Sequence, residues 1–205
     1  MRNFFVGLSV CLFVCFSGVA SATPIASFLI DGNTFSQPFS LNNDSTAGET
    51  ITGFQIDLTG TGIVFDTIDG GAPNSSFGGA FTPADGSDSI TGLSSFSVSD
   101  GGSILDISFT DFNVTEAFLW DIDLDFNPSP VTVLGSDLIG TSIFVDFSDG
   151  QRLFGNLIAV MGNSDASQFV VTGSTVISSV PEPASLALLG LGLAGIAFSR
   201  KKKTA

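Results

Sequence analysis

The sequence predicts an all-β protein with one β-sandwich of jelly-roll type. Three observations support this class: short segments alternate apolar and polar residues, clusters of Gly, Asn, Asp, Ser and Pro separate them, and the central part of the chain contains no ten-residue helical pattern. Alternation with a period of two places one face of a strand on a core and the other in water. Many short strands joined by such turns are typical of sandwiches and barrels.

The clearest alternation runs from Phe118 to Phe126. Its inward set is predicted to be Phe118, Trp120, Ile122, Leu124 and Phe126, and its outward set Leu119, Asp121, Asp123 and Asp125. Residues 54–58 and 105–110 alternate in the same way. We therefore expect three half-buried strands here, and further strands at residues 25–30, 63–67, 96–98 and 168–178.

A β-hairpin is predicted around Asp149-Gly150. Apolar residues alternate on both sides of this dipeptide, and Asp-Gly between two such segments is a strong signal for a tight turn. Residues 69–89 are instead rich in Gly, Ser, Asp and Pro. We expect them to form a long surface loop or a disordered insertion.

Residues 1–22 are expected to be a secretory signal peptide. Arg2 precedes an apolar run at residues 4–16, and the small residues Ala20 and Ala22 fit a cleavage site after Ala22. The alternative is a retained membrane helix, which would need about 20 apolar residues and positive flanks. The signal peptide is the better interpretation, and it predicts export across the inner membrane.

Cleavage there would leave an acidic domain at residues 23–179 without cysteine, because Cys11 and Cys15 both lie in the leader. The whole chain has a formal net charge of −14, and the domain is more acidic still, since Arg152 is its single basic residue against 19 acids, a net charge of −18. Such a surface repels nucleic acid and anionic membranes and attracts divalent cations. We therefore expect no nucleic-acid partner.

The composition of the domain argues against catalysis. It contains no His, Cys or Lys, so a serine nucleophile would lack the usual base and zinc its usual ligands. Two carboxylates suffice for glycoside hydrolysis, but among 19 acids a suitable pair arises by chance. Arg152 is expected to form a structural ion pair. We predict that the chain is not an enzyme, with a carboxylate-only glycosidase as the least favoured alternative.

A calcium site is one interpretation of Asp121, Asp123 and Asp125. Calcium prefers several oxygen ligands, and an Asp-x-Asp-x-Asp array supplies them. The array departs from the EF-hand loop, because Phe126 stands at the glycine position and Thr132 at that of the bidentate glutamate. The other interpretation is an outward strand face whose charges are balanced by ions in solvent, with no cofactor bound.

The C-terminal residues 180–205 combine three features. A Pro-Glu-Pro triplet comes first, formed by Pro181, Glu182 and Pro183. An uncharged, largely apolar segment follows at residues 184–199. The basic end consists of Arg200, Lys201, Lys202 and Lys203. As a helix the apolar segment would be about 24 Å long, short of the roughly 30 Å hydrocarbon core, and its glycines weaken it as a permanent anchor. The basic end would stay cytoplasmic.

This arrangement resembles the PEP-CTERM sorting signal of Gram-negative bacteria. The resemblance implies that an exosortase, a membrane enzyme, recognises and processes the tail after the hydrophobic helix has held the chain transiently in the inner membrane. It also implies a link to exopolysaccharide and the biofilm matrix. The central segments "ITGFQIDLTGTGIVFD" and "AFLWDIDLDF" are similar to β-rich ectodomains often attached to this signal. A plain single-span anchor is the alternative for the tail.

Together these features predict an exported, exosortase-sorted surface or matrix protein without catalysis of its own. Its expected partners are the exosortase, the export machinery and exopolysaccharide. The alternative function is a calcium-dependent carbohydrate-binding module of the matrix.

Overall fold

Strands make up most of the regular structure in the computed structural model, which describes residues 23–36 and 39–173. In chain order the strands are β1 (Ile25–Asp31), β2 (Phe39–Asn43), β3 (Ile51–Asp57), β4 (Ile63–Phe65), β5 (Thr82–Pro83), β6 (Leu93–Ser97), β7 (Ile104–Phe112), β8 (Ala117–Asp121), β9 (Leu124–Phe126), β10 (Ser142–Phe147), β11 (Arg152–Asn156), β12 (Ile158–Val160) and β13 (Asn163–Thr172). Helix α1 (Ser87–Thr91) lies between β5 and β6, and a 3-10 helix (Gly135–Leu138) lies before β10.

The strands form two large sheets and one small one. The six-stranded sheet has the order β12-β13-β1-β2-β8-β5, the five-stranded sheet β11-β10-β3-β7-β6, and the small sheet pairs β4 with β9. The strand pairs within the described residues are antiparallel. This architecture confirms the predicted all-β sandwich.

Apolar and polar residues alternate along β7, and this pattern decides which face of the strand is buried. Leu105, Ile107 and Phe109 are buried, whereas the intervening Asp106 and Ser108 are exposed. A strand with one face on a core and one in water has this pattern. The prediction for residues 105–110 is confirmed.

The core centres on Trp120 of β8, which is fully buried. Its ring stacks on those of Phe28 and Phe39, each 5.5 Å away between centroids, and meets Phe54 edge-on at 5.6 Å. Phe28 and Phe39 belong to the six-stranded sheet and Phe54 to the five-stranded sheet. Aromatic packing between the sheets therefore holds the sandwich together, since such rings bury large apolar areas.

The hairpin of β10 and β11 turns at Asp149-Gly150 as predicted. Gly150 has a φ of 86°, a left-handed conformation that glycine adopts without strain. Just beyond the turn, Arg152 donates two hydrogen bonds of 2.6 Å to the carboxylate of Asp146 on the facing strand. The expected ion pair is therefore confirmed. Because the Arg152 side chain is 59% exposed, the pair contributes at most about 1 kcal/mol.

The predicted single strand from Phe118 to Phe126 is wrong. β8 ends at Asp121, and β9 begins at Leu124 in a different sheet. Asp123 and Asp125, predicted to face solvent, are each only 6% exposed. β9 has neighbours at both edges, because it pairs with β4 and its Asp125 also bridges to Thr132. Gly79 of the preceding loop lies directly against Asp123 and helps to bury it.

The predictions for the two chain ends lie outside the described residues. They comprise the signal peptide at 1–22, the triplet, the hydrophobic helix at 184–199 and the basic end. The described residues belong to one compact unit, Ala22–Val176. Within that part of the chain, none of the helices has the length and apolar character needed to cross a membrane.

Candidate metal centre

Three aspartates meet at the small sheet formed by β4 and β9. All three residues of β4 are buried, and Asp66 follows directly after its last residue. Val64 and Phe65 of β4 pair with Asp125 and Leu124 of β9, respectively. The carboxylates of Asp66, Asp123 and Asp125 each place an oxygen within 4.8 Å of the others. We call this set the acidic trio.

A ring of backbone hydrogen bonds fixes the chain segments that carry the trio. The Asp66 N–H donates to the Asp123 carbonyl (3.0 Å), the Asp123 N–H to the Gly79 carbonyl (3.0 Å), and the Gly79 N–H to the Asp66 carbonyl (2.9 Å). Each segment is therefore tied to the other two. The side chains of Asp66 and Asp123 start from positions that the backbone holds together.

Glycine at position 78 allows the loop at residues 67–80 to lie against Asp66. A Cβ atom at Gly78 would lie 2.7 Å from the Asp66 Oδ1 atom and 2.7 Å from the backbone nitrogen of Ile68. Distances this short do not occur between real side chains and backbone, so a larger residue would displace the loop. The loop thus covers Asp66 because it carries no side chain at this point.

Asp100 holds the other side of the same loop. Its carboxylate accepts hydrogen bonds from the backbone N–H groups of Thr67 (2.9 Å) and Ala72 (2.6 Å). Burial raises the pKa of Asp100, but these hydrogen bonds outweigh burial and leave its pKa below the usual value. Residues 69–89, predicted to be a loop or a disordered insertion, contain β5 and the start of α1. The irregular part before β5 is anchored by side-chain contacts and forms a wall of the trio.

Asp66 is the most enclosed member of the trio. It is fully buried, and neither of its carboxylate oxygens accepts a hydrogen bond from the described residues. The nearby Ser75 hydroxyl donates its hydrogen to the Phe77 carbonyl instead (2.8 Å). Burial raises the pKa of Asp66, and the neighbouring Asp125 carboxylate raises it further.

Asp123 shares this environment. Burial, followed by the charges of Asp125 and Asp66, raises the pKa of Asp123 to about 7. Carboxylates this close together in a desolvated site cannot all be ionised without compensation. Either protons or a cation must therefore accompany the folded trio.

A cleft of about 580 Å³ opens onto the trio through Asp123 and Asp125. Its other lining residues are Asn33, Phe35, Ser75, Phe77, Pro130, Val131 and Thr132. Phe35 and Phe77 are 54% and 71% exposed, respectively, so the cleft has aromatic walls beside an acidic floor. A solute that enters the cleft therefore lies beside two of the three trio residues.

Two of the three residues in the predicted calcium site belong to the trio. Asp121 does not: it ends β8, is half-buried and pairs with Thr82 of β5. Asp66 takes its place, and the sequence interpretation missed it. The available signal was an isolated acid directly after the apolar run at residues 63–65, although nothing in that run indicates which distant strand it pairs with.

The donor set suits a hard cation. It consists of carboxylate oxygens alone, which calcium prefers, and lacks the imidazole and thiolate ligands that are usual for zinc. Fold and site together define an acidic, antiparallel β-sandwich with an oxygen-only candidate metal centre.

The comparisons with known proteins identify the tail. Residues 179–201 match the family model of the PEP-CTERM protein-sorting motif, and the predicted resemblance is confirmed. The match includes the Pro-Glu-Pro triplet and ends at Lys201, and it does not extend into the β-sandwich. Proteins with this motif are cargo of a sorting system rather than enzymes, and the motif implies export and recognition by an exosortase. No curated protein and no solved structure matches the chain.

Proposed function

We propose that this chain is a non-catalytic surface or matrix protein of a Gram-negative bacterium, exported and then processed by an exosortase at Pro181-Glu182-Pro183. The match at residues 179–201 carries the proposal. In this scheme residues 1–22 direct export and cleavage follows Ala22. The segment at 184–199 is held briefly in the inner membrane, with Arg200, Lys201, Lys202 and Lys203 on its cytoplasmic side.

The delivered part is the domain at residues 23–179. Its net charge of −18 keeps it dispersed and away from anionic membranes, so attachment to the cell depends on the tail. Without His, Cys or Lys it lacks the base that usually activates a serine nucleophile. A role in the exopolysaccharide matrix therefore depends on what the domain binds.

Mass spectrometry of the mature protein tests the sorting proposal. The full chain is expressed in a host that has an exosortase and in the same host with that enzyme deleted. We expect loss of the C-terminal peptide in the first host and a chain ending at Ala205 in the second. A variant with Pro181→Ala and Pro183→Ala should keep its tail in both hosts, whereas the upstream Ser178→Ala control should be processed. An intact Ala205 in the host with the exosortase contradicts the proposal.

A second candidate function is calcium-dependent binding of a saccharide in the cleft. The observation that favours it is the position of exposed Phe35 and Phe77 beside Asp123 and Asp125. Ligand sites commonly combine apolar or aromatic walls with a few convergent polar groups, and this cleft does so. Trp120 contributes nothing to such a site, because it is fully buried as predicted.

A glycan array probed with and without a chelator tests this second function. Phe77→Ala should abolish calcium-dependent binding. Phe154→Ala is a matched control, because Phe154 is 72% exposed on β11 and does not line the cleft. Binding that survives the chelator, or that is lost in both variants, would argue against a calcium-dependent site in the cleft.

A further inference from the structure

We propose that Asp66, Asp123 and Asp125 form a calcium site that opens onto the cleft. The proposal goes beyond sorting and does not depend on it. It also differs from the strand-face site predicted from the sequence, because Asp66 replaces Asp121.

The first argument is the state of the Asp66 side chain. Asp66 is fully buried, and none of the described residues donates a hydrogen bond to its carboxylate. Such burial is costly, because it removes hydration that those residues do not replace. The oxygens of Asp123 and Asp125 are acceptors as well, so the trio cannot satisfy itself as three carboxylates. A bound cation supplies the missing partner for Asp66 and balances the negative charge of all three carboxylates.

The second argument is the spacing. Calcium binds oxygen at 2.3–2.6 Å, so two ligands of the same ion lie at most about 5 Å apart. The trio meets this limit, because its oxygens all lie within 4.8 Å of one another. The spacing is therefore compatible with one ion bound between all three side chains.

The third argument concerns which ion the site takes. Three carboxylates offer up to six oxygens and a charge of −3, which a divalent cation reduces to −1. Magnesium usually keeps several waters and binds one or two carboxylates, whereas calcium accepts a larger all-oxygen shell with flexible geometry. The trio therefore favours calcium over magnesium.

The fourth argument is that the site is built in advance and accessible. The backbone ring through Gly79 holds Asp66 and Asp123 together, and Asp100 anchors the loop that covers them. Asp123 and Asp125 line the cleft, so the ion enters from there. The cleft leaves room for water or the hydroxyl groups of a ligand to complete the coordination shell.

Calorimetric titration of the full chain with calcium chloride tests the site. The protein is purified in mild detergent, stripped with a chelator and studied in 0.15 M salt, which screens loose binding to the acidic surface. We expect one ion per chain, and a melting temperature raised by roughly 5–10 °C when free calcium exceeds Kd by about a hundredfold. No saturable binding at millimolar calcium, or equal binding of magnesium, overturns the proposal.

Two asparagine variants locate the ion. Loss of an outer-shell partner typically weakens metal binding by roughly 10–100-fold, so loss of the direct ligand in Asp66→Asn should weaken calcium binding by at least that factor. Asp121→Asn is the matched control and should leave the calcium affinity unchanged. If Asp121→Asn weakens calcium binding and Asp66→Asn does not, the ion binds at the strand face, and the assignment to Asp66 is wrong. If Asp66→Asn does not fold, Asp125→Asn takes its place, and calcium binding of unchanged affinity in that variant equally contradicts the proposal.

Discussion

β8 and β9 are neighbours in the chain, yet they place their acidic residues in different surroundings. In β8, Phe118 and Trp120 are buried and the intervening Leu119 is half-buried. From Ile122 to Asp125, four consecutive residues are buried. The first strand lies in the six-stranded sheet with one face toward solvent, and the second lies in the small sheet under the loop at residues 67–80.

The difference shows what an alternating pattern can and cannot indicate. Alternation describes a strand correctly where one of its faces meets water. Where other segments cover both faces, the polar positions are buried as well, and they need partners. The aspartates after β8 are therefore better understood as members of an enclosed site than as a charged surface.

The largest expected effect is at the centre of the core. Trp120→Ala should lower the free energy of unfolding by about 3–5 kcal/mol, because it removes a fully buried ring that packs against both large sheets. Denaturant unfolding measures the change. Leu119→Ala, at the adjacent half-buried position, is the control and should cost much less. Equal losses would mean that β8 does not separate a core face from an outer face.

A pH dependence should follow from the trio. The pKa of Asp123 is raised from 3.8 to about 7 in the folded chain, so between these values the folded state binds more protons than the unfolded state. The melting temperature of the chelated protein should therefore fall as pH rises from about 4 to 7. Asp123→Asn should flatten this fall, while Asp121→Asn should preserve it. A fall of the same size in Asp123→Asn would remove Asp123 as its source.

Gly78→Ala should destabilise the loop that covers the trio. The added Cβ would lie 2.7 Å from the Asp66 carboxylate and from the Ile68 backbone, so the loop must shift, at a cost of about 1–3 kcal/mol. Thermal unfolding at fixed pH measures it. Ser76→Ala, at an exposed position of the same loop, should stay within roughly 0.5 kcal/mol of the unmodified chain. If Gly78→Ala leaves the thermal stability unchanged, the loop does not pack on Asp66.

The smallest expected effect is at the end of β8. Asp121→Asn should change the free energy of unfolding by no more than about 0.5 kcal/mol, because its side chain is half-buried and lies outside the trio. The same denaturant series measures this value. A loss of several kcal/mol would mean that Asp121 belongs to the enclosed site, and that the surroundings of the β8 and β9 aspartates do not differ as described.

Local patterns were sufficient for much of the sandwich. The alternation of β7 and the Asp149-Gly150 hairpin were predicted correctly, because both depend on neighbours in sequence and on one solvent-facing side. The tail was also accessible from its residues alone, since its three features stand side by side.

The candidate site was only half accessible from the sequence. Asp123 and Asp125 attracted attention because they stand in an array, whereas Asp66 becomes a partner only when β4 pairs with β9. That pairing is a tertiary contact between distant segments, and neither segment carries a signal for the other. The enclosed position of Asp123 likewise depends on Gly79 of a loop whose sequence indicates only irregular structure.

The burial of Trp120 has a spectroscopic consequence. It is the only tryptophan in the chain, there is no tyrosine, and its indole ring is fully buried. Fluorescence excited at wavelengths that only tryptophan absorbs therefore comes from Trp120 alone, which lies between the two large sheets. Its native spectrum should be blue-shifted, and its shift to the red should follow the opening of the sandwich alone, undisturbed by the leader or the tail.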